Sequence, residues 1–148
     1  MKRLISSITL VLFVIAVSST AALADHTREW KRERIAVAAH ELDDAASHFY
    51  KVTKHLGKHS HIAKDAKKLD EAAHQFHKRV ERGVSYKHLA KDFYDLEYSY
   101  RHLTYQLRYA RHSHHNPHFM RDWNRVEQAW ERLSRSMKNG FDYYNFYY

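Results

Sequence analysis

Between Tyr86 and Ala110 the chain sets an apolar or aromatic residue at every third or fourth position: Tyr86, Leu89, Phe93, Leu96, Tyr100, Leu103, Leu107 and Ala110. Strictly alternating steps of three and four draw one line down the side of a long α-helix. A helix with such a seam cannot bury it alone, so the chain must supply partners. Three more segments carry the same period. The first runs through Ile35, Ala38, Leu42, Ala45, Phe49, Val52 and Leu56. The second is Ile62, Ala66, Leu69, Ala73, Phe76 and Val80, and the last is Phe119, Trp123, Val126, Trp130, Leu133 and Met137.

Breaker residues mark the same boundaries independently. The 3 glycines, Gly57, Gly83 and Gly140, each follow a seam, where a residue that accepts φ > 0 closes a helix well. Thr27, Ser60 and Ser85 stand where N-caps belong, and Asn116-Pro117 offers an N-cap followed by proline at the first helical position. Seam and punctuation agree, which predicts four helices. The links at 57–60, 83–85 and 113–116 are short, and short links force consecutive helices antiparallel. The expected fold is all-α, an antiparallel up-down-up-down four-helix bundle. Small alanines in the first two seams face large aromatics in the last two, a pairing that interdigitates. The pairs also echo each other: Leu42-Asp43 with Leu69-Asp70, and Asp92-Phe93 with Asp122-Trp123.

The ends divide off from this core. Residues 1–24 read as a cleaved signal peptide: Lys2 and Arg3, an apolar run from Leu4 to Val17, then Ala22-Leu23-Ala24. The run is short for a membrane span of ~20 residues. The expectation is a mature chain from Asp25, periplasmic or secreted, with no stable membrane insertion after cleavage. Residues 25–140 form the bundle, and 141–148 an aromatic tail without helical period, expected to fold back over the bundle end.

Composition removes whole classes of chemistry. With no cysteine, disulfides, thiolate catalysis and covalently attached haem are excluded. No nucleophile elbow, Gly-rich phosphate loop or inward carboxylate pair is present, so the chain does not read as an enzyme. Met137 is the sole potential haem ligand in a seam. Glu71 and His74 form a Glu-x-x-His unit, but the seam set by Leu69 and Ala73 turns both outward, against a di-iron centre. The formal charge is +8, or +6 for the mature chain, with 23 basic and 17 acidic side chains left once Lys2 and Arg3 are removed. Basic residues on the second helix, such as Lys64, Lys67, Lys68, Lys78, Arg79 and Arg82, are interrupted by Asp65, Asp70, Glu71 and Glu81. That is a mixed-charge face rather than a phosphate-tracking stripe, and nucleic acid is a poor candidate partner.

Two features could carry function. Half of the 14 histidines lie in two windows: His55, His59 and His61, then His112, His114, His115 and His118. Alternating helices would bring both windows to one pole, where neutral imidazoles could hold Zn, Cu or Ni. Against this, His55 and His112 also suit helix C-termini through the dipole alone. The preferred expectation is a divalent transition-metal site on these loops. The alternative is a non-enzymatic envelope interaction or structural protein. It would use an outward stripe on the third helix, Tyr94, Tyr98, Arg101, Tyr105, Arg108 and Tyr109, together with the aromatic tail. Its partner would be a second copy, another envelope protein or a cell-wall polymer. A third option is a response to acid, since protonating every histidine would raise the mature charge towards +20.

Overall fold

A computed structural model of the chain describes residues 29–56, 60–110 and 117–145. The expected signal peptide lies outside them. The chain divides into two compact units, Met1–Glu33 and Arg34–Tyr148. In the first, residues 29–33 are helical. Among its described residues the second is all-helical. Its first helix, α1 (34–53), ends in a 3₁₀ turn, Lys54–Leu56, and α2 (His61–Glu81), α3 (Tyr86–Ala110) and α4 (Pro117–Asn145) follow.

The helix boundaries have local causes. Ser60 caps α2: its backbone is extended and its Oγ accepts a hydrogen bond from the Ala63 amide at 3.4 Å. At the other end Gly83 adopts φ +68° and donates to the Val80 carbonyl, while Val84 donates to Arg79, so the last carbonyls of α2 are satisfied. The carbonyl of Ser85 opens α3 by accepting from the amides of His88 and Leu89. Pro117 occupies the first position of α4, as expected.

Gly140 departs from expectation. It does not end the last helix, which continues to Asn145 and takes in most of the predicted aromatic tail. A glycine inside a helix costs only about 1 kcal/mol relative to alanine, and nothing that follows forbids helix. The side chains of this last turn lie outside the described residues.

The four seams meet in one core, and a four-helix bundle describes the unit. Leu42, Phe49, Leu69, Phe76, Leu96, Leu103, Val126, Leu133 and Met137 are almost wholly buried. On α1 the buried face is wider than the seam: Ala39, Ala46 and Thr53 are also buried, whereas Leu56 is exposed. A helix flanked by two neighbours buries a broad stripe rather than a single line. Aromatic rings from α3 and α4 stack through the centre. Phe93 lies parallel to Trp130 at 5.2 Å, Trp130 faces Tyr100 at 4.4 Å, and Tyr100 faces Trp123 at 5.8 Å. Phe49 of α1 continues the series to Trp123 at 5.3 Å and Phe119 at 5.1 Å. Burial pushes the Tyr100 phenol above its ordinary value, with Glu127 adding to the effect.

Pairs between helices run in opposite numerical order. Along α3 and α4, Tyr86 donates to the Met137 carbonyl, Phe93 meets Trp130 and Tyr100 meets Trp123. Along α2 and α3, Arg79 pairs with Asp92 at 2.9 Å and Asp65 with His102 at 3.1 Å. Along α1 and α4, Glu41 pairs with Arg132 at 2.7 Å and His48 approaches Asp122 at 3.7 Å.

Candidate functional site

The outward side of α3 is the most unusual surface among the described residues. The α3 seam faces the core, so positions half a turn away must face out. Tyr94, Tyr98, Tyr105 and Tyr109 are 69 %, 68 %, 57 % and 71 % exposed. Three of these four rings lie beside a neighbour one turn along. Tyr105 and Tyr109 lie 4.7 Å apart at a tilt of 58°, and Tyr98 leans towards His102 at 6.3 Å. The Tyr109 hydroxyl holds the Tyr105 phenol above its ordinary value. Arg101 and Arg108 are exposed between the rings. Glu97 fixes the Arg101 guanidinium at 2.7 Å, while Arg108 has no ion pair among the described residues. All six residues of the predicted stripe therefore share one solvent-facing side, offering amphipathic rings and planar cations together.

The predicted metal residues fare differently. His55 is exposed on the 3₁₀ turn, His61 is exposed at the first position of α2, and His118 is exposed at the second position of α4. His59, His112, His114 and His115 lie outside the described residues. Among the described residues, no group of three or more His, Asp or Glu side chains could hold a metal ion. His55, His61 and His118 thus form no coordination set by themselves. The contact of Phe49 with Phe119 does set the end of α1 beside the start of α4.

A set of carboxylates paired with basic groups across helix interfaces escaped the sequence reading. Asp43 of α1 accepts from Nδ1 of His74 at 3.1 Å and of His77 at 2.9 Å, both on α2. The other nitrogen of His77 faces Glu81 at 3.4 Å, and its ring lies 5.0 Å from that of His40. Burial raises the neighbouring Asp70 carboxyl above its ordinary value. The negative charge of Asp43 adds to the rise and His74 opposes it. Asp65 and Asp122 are buried although the seams read as apolar. Asp65 is held by His102 and by Lys68 at 3.3 Å. Among the described residues Asp122 Oδ1 has no hydrogen-bond partner and is balanced instead by His48, Arg121 and Arg125 at 3.7–3.9 Å. Each of these carboxylates lies one position before or after a seam residue. That proximity was visible in the sequence, but the partner across the interface was not.

Among the described residues, no helix is long and apolar enough to cross a membrane. No family model, no curated protein and no solved structure matches this chain, so its function rests on its own surfaces.

Proposed function

We propose that the protein is an exported, non-enzymatic binding protein whose working surface is the outward face of α3. The carrying observation is the exposure of Tyr94, Tyr98, Tyr105 and Tyr109 on one side of a helix whose opposite side supplies core. Large rings held in water cost free energy unless a partner covers them, and tyrosine with arginine is the composition that contact surfaces favour. The scaffold is an up-down-up-down bundle. The opposed numerical order of the contacts between α1 and α4, α2 and α3, and α3 and α4 supports alternating directions. Among the described residues nothing buries the outer face of α3 from Tyr94 to Tyr109.

The test is co-sedimentation with purified cell-envelope fragments. The native mature chain should pellet, and Tyr98→Ala/Tyr105→Ala should stay in the supernatant while remaining helical by circular dichroism. A soluble native chain, or equal pelleting of both proteins, contradicts the reading.

A second reading is a transition-metal site at the pole where α1 ends and α4 begins. The Phe49–Phe119 contact favours it by placing the flanks of both histidine windows together. The ligands would come from His55, His59, His61, His112, His114, His115 and His118, and the ion would be Zn, Cu or Ni. Titration calorimetry should then show one or two ions bound near neutral pH and released below about pH 6, as imidazoles protonate. Affinity no tighter than ~100 μM at pH 7 contradicts it.

A further inference from the structure

The outer face of α3 carries a second heptad line. Lys87, Lys91, Tyr94, Tyr98, Arg101, Tyr105 and Arg108 follow one another in steps of four and three, and all seven are exposed. The line holds cations and tyrosines and no carboxylate. Its seven residues span about 32 Å of helix at 1.5 Å per residue. Lys87, Lys91 and Arg108 have no ion pair among the described residues. Arg101 is oriented by Glu97, which stands beside the line rather than on it.

Size decides what kind of partner fits. A strip of that length on a helix about 10 Å wide offers roughly 300 Å². A stable protein–protein interface needs about 800 Å² from each partner. The strip is therefore too small for a second copy or another folded protein to hold by itself. It matches one extended strand lying along the helix.

Charge and ring chemistry narrow the strand. Lys87, Lys91 and Arg108, exposed and without an ion pair among the described residues, call for an anionic polymer. Arginine pairs in bidentate fashion with carboxylates, and lysine supplies less directional charge at the start of the helix. Tyrosine gives an apolar ring with a hydrogen-bonding tip, which complements a sugar ring with its C–H face and hydroxyl rim. Single-stranded nucleic acid would call on the same exposed rings and cations, and the oligonucleotide arm of the binding experiment separates it from a glycan. We therefore infer that the Lys87–Arg108 line binds a strand of acidic, carboxylate-bearing polysaccharide. This inference rests on the reading of α3 as the working face and names its partner.

The experiment measures binding of the native mature chain to polygalacturonate, dextran, inorganic polyphosphate and a thymidine oligonucleotide by biolayer interferometry at low and high salt. Polygalacturonate should bind, with affinity falling as salt rises. Tyr98→Ala/Tyr105→Ala and Lys87→Gln/Lys91→Gln should each weaken it at least tenfold. Dextran should not bind. Polyphosphate or the oligonucleotide binding as tightly as polygalacturonate would overturn the inference, as would dextran binding equally or either variant binding like the native chain. If polygalacturonate fails but the tyrosine variant still loses envelope fragments, the partner class is wrong and the face stands. If both measurements fail, the face itself is wrong.

Discussion

Replacing Trp130 with alanine is expected to cost about 3–5 kcal/mol of folding stability, the range for deleting a large buried aromatic. Trp130 is 8 % exposed and sits between two rings of α3, parallel to Phe93 and facing Tyr100. Alanine would remove the area burial and both ring contacts at once. The walls of the resulting cavity are Phe93 and Tyr100, whose partners Phe76 and Trp123 hold them in place, so collapse into the space is limited. A urea melt followed by circular dichroism measures the loss. A change below about 0.5 kcal/mol, the scale of ordinary surface substitutions, would mean that the α3–α4 ring stack is not core.

The second large effect is expected at Asp43→Ala, about 2 kcal/mol at neutral pH. A hydrogen bond to a charged group contributes about 1.5–3 kcal/mol where water is kept away. Asp43 and His77 are both 14 % exposed, so that bond counts nearly in full. His74 is 52 % exposed and its bond is largely screened. Asp43→Asn keeps an acceptor of the same shape and should lose less. Asp70 supplies a second readout. Its folded-state carboxyl lies above its unfolded value, so its ionisation costs stability at neutral pH. That cost disappears as pH falls through the folded value. Removing the Asp43 charge should move the Asp70 titration down, which NMR detects directly. An unmoved Asp70 together with an unchanged melt would mean that α1 and α2 are not joined at this point.

How much of this was legible in advance differs by feature. Ser60, Gly83 and Pro117 act within one turn of the backbone, so residue type alone placed those helix ends. Gly140 misled because glycine ends a helix only when the chain beyond gains from leaving it. The outward exposure of Tyr94, Tyr98, Tyr105 and Tyr109 followed from the period, since a seam on one side fixes the other side. The pairing of Asp43 with His74 and His77 did not follow. It depends on how α1 and α2 are rotated about their axes, and heptad spacing leaves that angle free by tens of degrees. The burial of Asp122 was hidden for a related reason: it lies one step from Trp123, near the boundary where a small rotation turns exposed into buried. The histidine windows were conspicuous, but four of the seven residues lie outside the described structure.

On this reading α3 has two independent sides, one built for the core and one for a partner. The most direct measurement follows both sides in one protein, by melting Tyr98→Ala/Tyr105→Ala and assaying its binding to envelope fragments. The melt should stay within about 0.5 kcal/mol of the native chain while binding is lost. A destabilisation of several kcal/mol would show that these tyrosines serve the fold, and full binding by the variant would leave the face without a function.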